Sequence, residues 1–271
     1  MPDPIWDRDG LAGGLAKIAE VNQRIICSMS RQMQLLAQGA VELGVDLDQH
    51  QLDQFETCYR ELVDWNQRMN LTSITQYQEV QVKHFLDSLT LGLAVAAAKI
   101  PGSRVIDVGA GAGLPGVPLK IAFPDIALTL LDSVGKKTRF LQHLVETLQL
   151  TDVAVHTGRA EELAHRPELR ENFDLALARG VARLPALLEY TLPFCKIGGR
   201  MVAWKHGGIE QELADAAAAM GVLGGRLDSV YPVSITGLTD DRVLVSVDKV
   251  SPTPEQYPRR VGLPARQPIR T

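Results

Sequence analysis

Past Pro101-Gly102 the chain alternates short runs rich in Val, Ile, Leu and Ala with longer stretches whose apolar residues recur at helical spacing. Short apolar runs bounded by turn residues suit buried strands, and the longer periodic ones suit helices laid with one face on a sheet. The pattern predicts strands near 104–108, 127–131, 153–155, 173–177 and 199–204, and helices near 115–122, 135–149, 159–165, 184–194 and 209–220. Such alternation implies an α/β fold with a mostly parallel sheet covered on both faces. The rhythm then changes. Arg226 to Ile235 and Arg242 to Asp248 are strand-like with no helix between them, and the loop joining them holds Gly237 and Asp240-Asp241, which predicts a closing antiparallel hairpin. Upstream, Leu52, Phe55, Tyr59, Leu62, Val63 and Met69 predict a helix between Asp48 and Asn70, and Gln76 to Ala98 a second helical region. Leu11, Leu15, Ile18, Val21 and Ile25 allow an amphipathic helix from about Leu15, although Met29 and Met33 could each begin a complete domain. Four regions result: an extension over 1–45, a helical cap over 46–100, an α/β domain over 101–250 and a tail over 251–271.

Composition narrows the classes. A chain of 271 residues with a net charge of −4 and a pI near 5.9 carries no uniform basic coat, so any nucleic-acid contact must come from local clusters. One such cluster is the tail, with Arg259, Arg260, Arg266 and Arg270, no acid after Glu255, and prolines at 252, 254, 258, 264 and 268. It cannot build a core of its own, and it reads either as a solvated end or as an arm laid along phosphates. Cys27, Cys58 and Cys195 are too few and too scattered for a disulfide framework or a zinc site, which suits a reducing cytoplasm. Cys195 falls late in a predicted helix, away from any catalytic loop. The six histidines show no ligand spacing, and no metal is expected. No long apolar span occurs, so neither is a membrane.

Candidate chemistry centres on Val105-Ile106-Asp107-Val108-Gly109-Ala110-Gly111-Ala112-Gly113-Leu114-Pro115-Gly116. Strand, alternate glycines, then helix is the arrangement that lets a ligand approach backbone amides with no Cβ in the way. Gly111, Gly113 and Gly116 also satisfy the dinucleotide fingerprint, with Asp132 at the spacing expected of a ribose contact, so NAD stays open on pattern alone. Asp107 and the extra Gly109 favour S-adenosylmethionine, because a carboxylate at the strand tip suits an ammonium group better than a pyrophosphate. Asp132 could equally cap the helix that starts near Val134. His84, in Lys83-His84-Phe85-Leu86-Asp87-Ser88-Leu89, reads as readily as a side chain bonded to nearby backbone as a ligand contact.

With the glycine loop, Leu130-Leu131-Asp132-Ser133-Val134-Gly135-Lys136-Lys137 and Trp65-Asn66-x-x-Met69-Asn70-Leu71-Thr72-Ser73-Ile74 in place, the chain resembles the ribosomal RNA small subunit methyltransferase G family, also called glucose-inhibited division protein B. The resemblance runs from about Leu43 to the C-terminus. It includes Lys83 to Ser88, Gly158-Arg159-Ala160-Glu161-Glu162, Leu177-Ala178-Arg179 and Tyr257-Pro258-Arg259-Arg260-x-Gly262-x-Pro264-Ala265. It implies a class I methyltransferase, Rossmann-like, with seven strands ending in the antiparallel hairpin. It also implies methylation of guanine N7 in the helix-18 loop of 16S rRNA, on the small ribosomal subunit, with S-adenosylmethionine converted to S-adenosylhomocysteine. A cytoplasmic monomer is expected.

Carried over by position, the resemblance sets Gly109 and Leu114 against the cofactor and Ala160 and Glu161 beside its adenine, with Arg179 facing cofactor and RNA. Lys205 or Asn70 would be the donor to guanine O6, and Arg259, Arg260 and Arg266 would join Arg179 on the RNA. Two departures stand out: His206 where the family usually has glycine after Lys205, and a charged Arg183. The alternatives are a small-molecule methyltransferase of the same fold, with a merely solvated tail, and an NAD-binding oxidoreductase.

Overall fold

The seven strands form one sheet in the order β3-β2-β1-β4-β5-β7-β6, in a computed structural model that describes residues 33–238 and 240–270. Strands β1 (Arg104–Val108), β2 (Ala127–Asp132), β3 (Val153–Thr157), β4 (Phe173–Arg179) and β5 (Cys195–His206) run parallel, while β6 (Gly225–Pro232) and β7 (Arg242–Lys249) close the sheet antiparallel. The predicted helix that starts near Leu15 lies outside the described residues. Order and hairpin are those of a class I methyltransferase. The chain reverses its winding at β1, so β2 and β4 flank it, with Asp107 in register with Leu130 on one side and Leu177 on the other. Ligands collect beyond the carboxyl ends of strands at such a switch point.

Helices α1 (Gln34–Glu42) and α2 (Gln49–Asn66) precede the sheet. Asp48 starts α2 with a reciprocal capping box: its carboxylate accepts from the Gln51 amide and Gln51 Oε1 accepts from the Asp48 amide. The helix stops at Asn66, short of the predicted Asn70, because Asn66 Oδ1 takes the amides of Leu71 and Thr72 and turns the chain. The second helical region is not one regular helix. It consists of α3 (Tyr77–Val80), a π-helical turn over Gln81–Leu86, α4 (Asp87–Leu89) and α5 (Leu91–Ala94). Phe55 of α2 packs at a tilt against Phe85 of the π turn with ring centres 5.1 Å apart, and Trp204 of β5 donates to the Asp87 carbonyl, which joins these helices to the sheet.

Within the sheet domain, α6 (Gly116–Ala122), α7 (Gly135–Thr147), α8 (Ala160–Leu163), α9 (Leu184–Thr191) and α10 (Glu210–Val222) follow β1 to β5 in turn, and α11 (Leu263–Arg266) lies in the tail. Cys195 opens β5 instead of ending a helix: β5 begins four residues earlier than the apolar pattern suggested, through a pairing of Cys195 with Phe173 ahead of an irregularity. Buried Cys195 sits at the end of the sheet opposite the glycine loop, and burial pushes its thiol up to about 12, as it does that of Cys58.

The tail is fastened down along its length. Arg170 donates to the carbonyls of Thr253 and Tyr257, His165 bonds the Pro258 carbonyl, and the Gly262 amide donates to Glu161. Thr253, Pro258, Pro264 and Ile269 are buried. The tail therefore borrows the core of the domain instead of hanging free.

Candidate cofactor loop and acceptor cleft

Beyond β1 the chain turns through Gly109, Gly111 and Gly113 with φ of +79°, +55° and +83°, a left-handed backbone that residues with a Cβ rarely adopt. The loop is fastened to β2, whose Leu131 carbonyl accepts the amides of both Gly109 and Ala110. Asp107 lies fully buried beneath it. Its Oδ2 accepts from the Gly116 amide at 2.8 Å, and its Oδ1 has no hydrogen-bond partner among the described residues. Burial, with nearby Asp132 adding to it, pushes the Asp107 carboxyl up to about 7 against the pull of that amide. A side chain at Gly116 has no room, since a Cβ would come within 2.9 Å of Asp107 Oδ2 and 2.7 Å of Leu130. Leu114 is half-buried on the same loop.

Asp132 ends β2 and serves two loops at once. Oδ2 accepts from the Gly111 amide and Oδ1 from the Val134 amide, at 2.9 and 2.8 Å. The second contact is a turn ahead of α7, whose N-cap Val134 carries no side-chain cap, so Asp132 does not cap that helix, and its carboxylate has further lone pairs to offer ribose hydroxyls. Ala160 starts α8 after β3 and is buried. The Glu161 carboxylate reaches the tail, where Oε1 accepts from the Gly262 amide. The Val181 side chain covers Gly109, 2.7 Å from where a Cβ would stand, and brings the loop after β4 over the glycines.

Next to this loop a cleft of about 410 Å³ opens at the ends of β4, β5 and β7, bordered by Arg179, Trp204, Lys205, Gly208, Glu212 and Arg242. Arg179 does not project freely into it. Nη1 lies 3.1 Å from Asp87 Oδ2 and Nη2 donates to the Lys83 carbonyl, while Arg242 closes on the same Asp87 oxygen at 2.8 Å. His84 stands behind, with Nε2 on Thr72 Oγ1; burial and the Arg179 guanidinium push it down to about 4, so it is neutral near pH 7. His84 therefore braces Arg179 against the turn at Thr72.

Lys205 lies on the cleft wall with Nζ 2.8 Å from the Ala182 carbonyl and 2.6 Å from Glu212 Oε1. Asn70, the other residue expected at guanine O6, is exposed on the turn that Asn66 creates and does not border the cleft. Three expected RNA contacts also separate. Arg260 and Arg266 are exposed, whereas Arg259 forks onto Glu189, a fully buried carboxylate, and donates to the Gln267 carbonyl as well. Arg259 is thereby a structural anchor through Nε and Nη2, a role the sequence reading of an RNA contact did not include. Two residues escaped the sequence reading: Glu212, which looks like any acid in a first helical turn, and Asp87, which hides in an apolar helix. At the His206 departure, Gly207 takes the close contact, since a Cβ there would fall 1.8 Å from Asp241 Oδ2.

The rRNA small subunit methyltransferase G family model matches residues 51–239. The chain belongs to this family. Curated members resemble it nearly end to end. The ribosomal RNA small subunit methyltransferase G of Dehalococcoides mccartyi strain BAV1 is 49% identical over 88% of this chain and 100% of its own length. That of Roseiflexus castenholzii is 49% identical over 85% and 97%, and that of Leuconostoc mesenteroides 46% over 83% and 94%. No helix among the described residues is long and apolar enough to cross a membrane.

Proposed function

We propose that this chain methylates N7 of one guanine in the helix-18 loop of 16S rRNA on the small ribosomal subunit, as a cytoplasmic monomer using S-adenosylmethionine. The observation that carries the reading is the buried Asp107 Oδ1, without a hydrogen-bond partner among the described residues, beneath glycines of positive φ. An orphaned acceptor in that position fits a cationic ligand such as an ammonium group, and no pyrophosphate would suit it. The cofactor, when bound, supplies a methyl group on a positively charged sulfur. Asp107, Gly109, Gly111, Gly113, Leu114, Asp132, Ala160 and Glu161 would hold it.

Guanine N7 has an in-plane lone pair and no proton, so the chain need supply no base; its task is alignment. Arg179, braced by Asp87 and His84, keeps a fixed positive wall between loop and cleft. Lys205 spends two donors on Ala182 and Glu212 and keeps one for the acceptor, since an ammonium has three. Arg260, Arg266 and Arg270 are exposed on the tail, and Arg266 and Arg270 border a groove of about 850 Å³ with Arg183. That groove suits a phosphate-bearing strand and speaks against a small-molecule acceptor.

The test is transfer of tritium from methyl-labelled S-adenosylmethionine to unmodified 16S rRNA and to small subunits. Borohydride and aniline cleavage with primer extension then locates any 7-methylguanine. One new stop in the helix-18 loop is the expected result. A stop elsewhere overturns the site, label without cleavage overturns the methylated atom, and label confined to small molecules overturns the RNA substrate.

A further inference from the structure

We propose that Glu212 reads the Watson–Crick edge of the acceptor guanine, side by side with Lys205 on O6, an inference that rests on the guanine reading above. Glu212 stands in the first turn of α10 on the cleft wall, with its side chain 19% exposed and that of Lys205 13% exposed. Its Oε1 is used twice, by Lys205 Nζ and by the Leu184 amide, which fixes the carboxylate in one orientation. Among the described residues no hydrogen bond engages Oε2, nor is that oxygen sealed from solvent, and Glu212 borders the cleft. Beside it, Lys205 has one ammonium proton left. The wall thus presents a donor next to a charged acceptor.

Guanine presents the complement in the same order: O6 accepts, while N1–H and N2–H₂ donate. Adenine reverses it at both of the first two positions, offering an amino donor to the ammonium and a lone pair to the carboxylate, and both contacts become repulsive. The arrangement also leaves the reaction free to proceed. A base held by its Watson–Crick edge keeps its N7 lone pair unblocked, whereas an arginine forked onto O6 and N7, the common way of reading guanine, would occupy the atom that must attack. The nearby backbone is open enough for a flat ring, because Gly208 has φ of +71° and nothing within 4 Å of its Cβ direction. Arg179 borders this cleft two residues beyond Leu177, the partner of Asp107, so a base seated here lies next to the glycine loop. A guanine read this way must be unpaired or turned out of its helix.

The test uses small subunits reconstituted with 16S rRNA in which the acceptor guanosine is replaced by inosine, which keeps O6, N1–H and N7 and lacks only the N2 amino group. The intact enzyme should methylate guanosine about tenfold or more faster than inosine in kcat/KM, the loss expected for one hydrogen bond to a charged group. Glu212→Gln keeps an oxygen for the Leu184 amide. It should lower guanosine methylation by about ten- to a hundredfold and shrink the guanosine-to-inosine preference to within about twofold. S-adenosylhomocysteine affinity, measured on the same protein, should stay within about twofold of the parent, as the cofactor side is untouched. A Glu212→Gln enzyme that slows equally on both acceptors, with its preference intact, makes Glu212 a brace for Lys205 and overturns the inference. Equal rates of the unaltered enzyme on guanosine and inosine overturn it without recourse to any variant. Absence of 7-methylguanine from all substrates would instead strike the guanine reading itself, and this inference with it.

Discussion

Asp107 sets the acid–base behaviour of the glycine loop. Its folded-state carboxyl is raised from 3.8 to about 7, chiefly by burial, a difference on the order of 4 kcal/mol. A raised carboxylate binds its proton more tightly folded than unfolded, so its effect is to lower stability as pH climbs from about 4 to about 7, with the full loss present above 7. Asp107→Asn keeps an oxygen for the Gly116 amide and removes the titration. Urea unfolding without ligand at pH 5 and pH 8 should show the variant losing less stability, or gaining more, than its parent between the two. An equal change in both proteins would mean that Asp107 titrates normally. The same carboxyl predicts proton release on cofactor binding, because a cation laid against Oδ1 favours the charged form. Calorimetry at pH 6 in buffers of different ionisation heat should find it, together with a weaker, proton-neutral binding by Asp107→Asn.

Among the elements, the tail moved furthest from its sequence-based expectation. Arg259→Ala should unfold the protein more easily, by about 3 kcal/mol, because it takes the guanidinium from Glu189, a buried charge, and leaves it the backbone amide of residue 259. Glu189→Gln added to it should recover part of that loss in chemical denaturation, and an Arg259→Ala protein as stable as its parent would return this residue to the RNA surface. Strands and helices after Gly102 were legible because each carries its own period, and the glycine loop because glycine is the residue a left-handed turn requires. What sequence spacing could not supply was pairing across distance. Nothing along the chain marks that Arg259 meets Glu189 across 70 positions, that Glu161 faces Gly262 across 101, or that Asp87 gathers Arg179 and Arg242 from two strands. The π turn was equally hidden, since Gln81–Leu86 has the composition of an ordinary helix.

At the scale of the whole molecule, an acidic protein must hold an anionic polymer through a limited set of cations. Three tail arginines remain available, Arg260, Arg266 and Arg270. Replacing all three should lower the slope of log affinity against log salt by roughly 2, at about 0.7 for each phosphate on single strands. Replacement should leave cofactor affinity alone, and filter binding across a salt series decides it; an unchanged slope would make the tail purely architectural. The fastening of that tail also bears on what a truncation would do. Residues 253 to 269 supply the partners of Glu161, Arg170 and Glu189, which stand in segments far upstream. A chain broken off before Pro258 leaves Glu189 without its arginine. A cut there therefore removes the closure of the fold together with the exposed Arg260, Arg266 and Arg270, so truncation cannot take away those charges without also loosening the domain that carries them.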